Sequence, residues 1–228
     1  MGTHEHSHGH GHGHGHGHGH GHDRFSDEAA TWDDRPGHAE RATAVAARLR
    51  ETLPLRPDMT AIEIGGGTGL LSRALVDDIG TATVTDVAPG MVEVAAGTLD
   101  DPRYAGWSAR RYDIEHDPLP EERYDLVVAL LALHHMGDIP TVVRRCVDLL
   151  APGGHVAIID LDHDEDGAFH QHLDDFDGHH GFTREDAHRW LEAAGASDVR
   201  LTDAGAVTKE TEDGERDFPM FLATGRRV

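Results

Sequence analysis

Ala61-Ile-Glu-Ile-Gly-Gly-Gly-Thr-Gly69 carries an apolar, strand-like stretch straight into a glycine-dense turn, and the helical pattern Leu70, Leu71, Ala74, Leu75 follows at once. Glycine in such a turn takes positive φ without steric cost and lets a ligand approach main-chain N–H groups with no Cβ in the way. Strand, glycine turn and helix in that order predict a nucleotide-like ligand at the end of a parallel strand. The spacing narrows the ligand. Gly65, Gly67 and Gly69 read GxGxG, and Leu70 stands where a dinucleotide-binding turn carries its third glycine, so the pyrophosphate fingerprint is broken.

Outward from this loop, short apolar runs alternate with helical periodicity. Strands are expected at 60–64, 81–86, 107–112, 124–130 and 155–161, and helices at 69–77, 89–98, 139–149 and 183–194. Ala151-Pro-Gly-Gly154 reads as a turn before the fifth strand. A helix from about residue 38, with Ala42, Val45, Ala46 and Leu49 on one face, stops at the breaker Leu53-Pro-Leu-Arg-Pro57 and leads into the first strand. This rhythm implies parallel βαβ units. It fails at the end of the chain, where 199–207 and 218–224 flank a polar turn containing Asp213-Gly214 with no helix between, as a β-hairpin would. The fold class expected is α/β: a Rossmann-like doubly wound sheet of seven strands, mostly parallel, with a C-terminal antiparallel hairpin.

The 228 residues suit one such domain. A formal net charge of -22 repels phosphate backbones and acidic membrane surfaces, and no basic patch offsets it, so neither a nucleic acid nor a membrane is expected as partner. Lys209 is the only lysine. Cys146 is the only cysteine, which excludes an intrachain disulfide and points to a reducing, cytoplasmic compartment. The longest apolar run, 126–133, is too short to span a bilayer and fits a buried strand running into a loop.

Residues 1–22 alternate Gly and His almost throughout and offer no apolar face to bury, so a disordered tail is expected there. Its imidazoles, His4, His6, His8, His10, His12, His14, His16, His18, His20 and His22, suit a transition metal such as zinc, nickel or copper; a passive repeat or an appended tag is the alternative.

The acidic GxGxG opening, the alternation and the terminal hairpin together resemble the class I S-adenosylmethionine (SAM)-dependent methyltransferases, over nearly all of residues 25–227. The resemblance divides the chain into the tail, an N-terminal lid and helix at 23–58, and a SAM-binding domain at 59–228 with an acceptor-side segment at about 161–182. It implies Glu63 near the aminoacyl end of the cofactor, or capping the following turn, and Gly65, Gly66, Gly67 and Gly69 passing close to the same end. Many relatives have cysteine where this chain has Gly66; the backbone makes the contact, so the departure should be tolerated. Asp86, closing Val84-Thr-Asp86, would take both ribose hydroxyls. Val87 and Met91 would lie against adenine, Met91 being equally suited to the core. In Arg111-Tyr-Asp-Ile114, Asp113 would read the exocyclic amine and the Ile114 N–H the ring, unless Asp113 is a solvated loop acid. The Leu130 backbone would sit by the cofactor's amino group. Trp32, in Phe25-Ser-Asp-Glu-Ala-Ala-Thr-Trp-Asp33, is the candidate lid residue, or packs on the first helix.

Methyl transfer from a sulfonium needs alignment more than a nucleophile. In the loop after the fourth strand, His134 and His135 are the candidates for a catalytic base, or simply shape the loop. The segment from Asp160 to Phe182 is rich in Asp and His, including His163, His170, His172, His179 and His180, and is expected to meet the acceptor; the spacing matches no sharp metal motif. The function implied is methyl transfer to a small-molecule acceptor. A metal-handling protein with a catalytically idle methyltransferase-like domain is the alternative, and a nicotinamide-dependent oxidoreductase is disfavoured by Leu70 and the hairpin.

Overall fold

The computed structural model describes residues 19–173 and 176–228, with side chains from Arg24 onward. Seven strands form one sheet in the order β3-β2-β1-β4-β5-β7-β6. They are β1 (Thr60–Ile64), β2 (Thr81–Asp86), β3 (Ser108–Arg111), β4 (Tyr124–Leu130), β5 (Leu150–Leu161), β6 (Ala196–Thr211) and β7 (Gly214–Arg227). The first five run parallel, and β7 enters antiparallel between β5 and β6. Strand order reverses between β1 and β4, which opens a crevice at their carboxyl ends, where doubly wound sheets bind ligands.

Helices cover both faces, and this explains why β1 and β4 read as near-continuous apolar runs rather than alternating ones. Ile62 and Ile64 pack with Val142, Val143 and Cys146 of α5 (Ile139–Asp148) and Leu191 of α6 (Arg184–Ala193). Ala61 and Leu126 face the other way, onto Val45 and Leu49 of α2 (His38–Thr52) and Leu71 of α3 (Leu70–Ala74). The remaining helices are α1 (Gly19–Glu28) and α4 (Pro89–Leu99). Asp138 and Thr183 cap α5 and α6, accepting from the N–H groups of Thr141 and Asp186. Cys146 is fully buried, which pushes its thiol up to about 12 and leaves it a packing residue.

The expected rhythm and hairpin are present, with four differences. The helix expected at 69–77 is only Leu70–Ala74, because the chain turns through Val76–Asp78 toward Gly80. Ala151–Gly154 lies within β5 rather than before it: Tyr124 and Leu126, two apart, pair with Leu150 and His155, five apart, so the turn residues bulge out of the ladder. The hairpin strands are longer than expected, pairing from Ala196↔Arg227 to Thr211↔Gly214. Helix α1 begins at Gly19, inside the tract expected as tail. His4 to His18 lie outside the described residues, and of His20 and His22 only the backbone is described. Among the described residues no helix is long and apolar enough to cross a membrane.

Candidate active site

The turn between β1 and α3 is built as its glycines require. Gly65, Gly67 and Gly69 have φ of 60°, 56° and 81°. A Cβ on Gly65 would lie 2.6 Å from Ala132 Cβ, and one on Gly69 would lie 2.9 Å from Val84 Cγ2. At Gly67 the same position meets only Met91 Sδ at 3.6 Å and Trp32 Nε1 at 3.8 Å, so this glycine leaves room for a ligand between loop, α4 and lid. Gly66 is small for another reason: its Cβ would fall 2.8 Å from Glu63 Cγ and Cδ.

Of the two roles expected for Glu63, the hydrogen bonds support the capping one. Its Oε2 accepts from the Ser72 hydroxyl at 2.5 Å and the Ser72 N–H at 3.1 Å, satisfying a donor in the first turn of α3. Burial pushes its carboxyl up to about 7, against the opposing pull of the Ser72 hydrogen bonds and Arg73. Asp86 closes β2 and is fixed by two N–H groups, Oδ2 accepting from Gly67 at 2.9 Å and Oδ1 from Ala88 at 2.8 Å. That arrangement ties the end of β2 to the glycine turn. Val87 beside it is half-buried, and its carbonyl accepts from Arg111 Nε.

Asp113 is half-buried, and its carboxylate is tied to the backbone and side chain of the loop that follows it. Its Oδ1 accepts from the N–H groups of Glu115 and His116, and its Oδ2 pairs with His116 Nδ1 at 2.9 Å. Partial burial works against the charge, but these bonds outweigh it and hold the carboxyl below its ordinary range. Ile114 is buried in the core, and Leu130 is half-buried where β4 ends. Met91 is buried in a cluster with Ala29 and Ala88, against which Phe25 and Trp32 pack. Met91 thus packs in the seam between lid and α4.

The N-terminal segment crosses the glycine turn. Asp33 accepts from the Thr68 hydroxyl at 2.5 Å and pairs with Arg73 at 2.6 Å, and the Ser26 hydroxyl accepts from Gly90 N. Trp32 lies edge-on to Phe25, with Arg35 over its ring and His38 of α2 on the other side. It thus closes over Gly67 and packs on the first residue of α2 at once.

After β4 the chain makes an abrupt bend at Leu131, whose φ of 51° is rare for a side chain of this size, and enters a short 3₁₀ turn, Leu133–His135. His134 is 2% exposed, and its Nδ1 lies 2.6 Å from Asp160 Oδ1, itself 0% exposed at the end of β5. Because that oxygen also receives the Leu161 N–H, Nδ1 carries the hydrogen and Nε2 is left as the acceptor. His135 is exposed at the rim, edge-on to Phe25 of the lid and to Phe176. His134 and His135 rings are 4.1 Å apart.

The segment expected to meet the acceptor folds back onto this turn. His170 stacks on Phe176 with centroids 3.6 Å apart and lies 5.2 Å from His134. Both of its ring nitrogens are buried without a hydrogen-bond partner, and burial, with His134 and Lys209 nearby, lowers it to about 3. The segment is braced by the two-pronged pair Arg184–Asp162, by Arg216–Asp164, and by Lys209 donating to the Phe169 carbonyl. His179 N–H bonds the His134 carbonyl at 2.7 Å. His163 is exposed and is not one of the three histidines that converge.

Sequence reasoning missed Asp33, Thr68, Arg73 and Phe176, and did not single out Asp160 as a partner of His134. One signal was available for Asp160: an acid closing the apolar run Val156-Ala-Ile-Ile159 must be buried and therefore paired. Nothing local marks the Asp33 contacts.

Residues 62–156 match the family model described as a methyltransferase domain. Over 153 residues the chain is 39% identical to the biotin biosynthesis bifunctional protein BioCD of Bordetella avium, an alignment covering 65% of this chain and 30% of that protein. It is 30% identical over 138 residues to the fusarin C synthetase of Gibberella moniliformis, covering 55% of this chain and 3% of that one. The chain thus spans under a third of the length of these curated relatives. Among solved structures, the N-methyltransferase NodS from Bradyrhizobium japonicum, in complex with S-adenosylhomocysteine, superposes with a TM-score of 0.62 at 23% identity, covering 90% of this chain and 96% of that one. The phosphoethanolamine N-methyltransferase 2 of Haemonchus contortus superposes with a TM-score of 0.66 at 15% identity, covering 80% and 52%. With its GxGxG turn after β1, an acid ending β2 and a seven-stranded sheet closed by an antiparallel hairpin, the chain has the fold of the class I SAM-dependent methyltransferases, and residues 62–156 carry a methyltransferase domain.

Proposed function

We propose that the chain transfers the methyl group of SAM to a small-molecule acceptor. The observation that carries this reading is the closed seam over the glycine turn: Asp33 grips Thr68 and Arg73 while Asp86 is fixed beside Gly67. In this reading Asp86 takes the ribose hydroxyls, Gly65 to Gly69 pass beside the aminoacyl end, and Trp32 and Met91 flank the nucleoside. SAM supplies an activated methyl group on a cationic sulfonium. Each carboxylate within roughly 4 Å of a cationic centre attracts it by about 4 kcal/mol at a surface-like dielectric. The chain's own part is alignment and exclusion of water, and the lid serves both.

The acceptor side is the rim made by Phe25, His135 and Phe176. An aromatic rim beneath a lid suits a small molecule rather than a polymer. The net charge of -22 works against a nucleic acid. The names of the relatives, in biotin biosynthesis, fusarin C synthesis and phosphoethanolamine methylation, support a small acceptor. His134, buried and held by Asp160, shapes the turn from which His135 meets that acceptor.

Calorimetric titration of the EDTA-treated chain with SAM, its demethylated product and NAD tests the cofactor assignment. Micromolar binding of the first two and none of NAD is expected, and Asp86→Ala should weaken SAM by at least about tenfold. No binding of SAM at millimolar concentration, or an unchanged dissociation constant in Asp86→Ala, rejects it. A methyl-label screen then separates small molecules from protein or RNA acceptors.

A further inference from the structure

We infer that His134, His135 and His170 form a binding site for one divalent transition-metal ion of the zinc type. One ring nitrogen of each lies within 4.8 Å of the other two. The three side chains come from two places, the turn after β4 and the segment after β5, so the grouping is a product of the fold and not of a local repeat.

Three further observations point to a ligand. His170 is 3% exposed and has no hydrogen-bond partner at either nitrogen, although a buried polar group without one costs about 1–3 kcal/mol. Its stacking on Phe176 holds the ring plane. His134 is oriented as metal-bound histidines usually are, with Nδ1–H given to a buried carboxylate and Nε2 left to coordinate. His135, exposed on the same turn, brings the third nitrogen. Tetrahedral zinc with nitrogens at about 2.0–2.1 Å places its ligands roughly 3.3 Å apart, so drawing the three nitrogens together from their present spacing fills three of four positions. The cluster supplies neutral nitrogen donors, which suit Zn²⁺, Co²⁺ or Ni²⁺ rather than the oxygen-seeking Mg²⁺ or Ca²⁺. A fourth position left to solvent at the rim with Phe25 and Phe176 would accept an oxygen, nitrogen or sulfur atom of a small molecule. The site does not depend on methyl transfer and is distinct from the histidines of residues 1–22.

The test uses the full-length chain with His4 to His22 of the repeat replaced by glutamine, so that the repeat cannot mask the count. After EDTA treatment the protein is titrated with zinc by calorimetry, and with cobalt by visible absorption. The expected result is one equivalent of each, with cobalt bands of a four-coordinate nitrogen site. His170→Phe, which keeps the stacking partner for Phe176, and His135→Gln, at an exposed position, should each weaken zinc on the order of 100-fold, since losing a ligand exceeds the 10–100-fold that losing its outer partner costs. His163→Gln should leave binding unchanged. No zinc bound at 100-fold excess, or binding untouched by His135→Gln, overturns the assignment even if His170→Phe fails to fold.

Discussion

The Thr68 hydroxyl donates a 2.5 Å hydrogen bond to Asp33, 35 residues earlier, and Thr68 itself is only 1% exposed. The other Asp33 oxygen pairs with Arg73 at 2.6 Å. A single carboxylate therefore fastens the lid to the glycine turn and to the helix that follows it. Few other polar contacts join that segment to the domain; Ser26 to Gly90 is one, and the rest of the seam is apolar packing around Met91.

Removing that fastening should act on the cofactor before it acts on the fold. Asp33→Ala is expected to raise the SAM dissociation rate and weaken affinity about tenfold, or about 1.4 kcal/mol, with the midpoint of thermal unfolding little changed. Stopped-flow dissociation measured beside calorimetry checks it. An unaltered off-rate would mean that the Asp33 contacts do not gate the site.

Glu63 predicts a pH dependence of stability. Its carboxyl is raised to about 7 in the folded chain against 4.5 when free, so between those values the native state holds a proton that the unfolded state has released. Its contribution is fully present below about pH 4.5 and is lost as pH rises through about 7, amounting to roughly 3 kcal/mol. Arg73 and Asp86, the charges that act on it, oppose one another and leave burial as the cause. The half-buried imidazole His38, lowered to about 4 chiefly by burial, works in the opposite sense, so the measurement is a difference. Denaturant midpoints of the chain and of Glu63→Gln should converge at pH 5 and diverge by pH 8 in favour of the glutamine. Parallel profiles would refute the buried-carboxyl account.

Gly69 and Val84 should be energetically coupled. Gly69→Ala brings a Cβ to within 2.9 Å of Val84 Cγ2 at a residue with φ of 81°. The left-handed conformation alone costs about 1–2 kcal/mol, and the contact adds to it. Val84→Ala removes the methyl that clashes, so the double variant should lose at least about 0.5 kcal/mol less than the sum of the singles, leaving the backbone term. Equilibrium unfolding of the four proteins measures this, and simple additivity would place the clash elsewhere.

Much of the fold was legible before any coordinate. The apolar 124–130 run predicted a buried parallel strand, and the Asp213-Gly214 turn predicted the hairpin that the β6–β7 pairing bears out. The glycine turn was legible too, because φ at Gly65, Gly67 and Gly69 is a local steric property. Boundaries were not: Ala151–Gly154 has turn composition yet sits within a strand, since the β4 and β7 ladders on either side carry the chain past it. The tail histidines from His4 to His18 lie outside the described residues, so their metal reading stands only on composition.

The sequence by itself determined the periodicities, and with them the alternation, the two-sided burial of β1 and β4 and the antiparallel finish; these follow from sterics and spacing over a few residues. Where side chains from distant segments meet was decided by the tertiary structure alone. Glu63 meets Ser72 because the glycine turn folds the first turn of α3 back over the end of β1. His134 finds Asp160 because β4 and β5 are neighbours in the sheet, and His170 joins them because the segment after β5 is braced back by Arg184 and Arg216. The physical reason is that pairing across strands depends on sheet order, and sheet order arises from burial summed over the whole chain rather than from any one stretch of it.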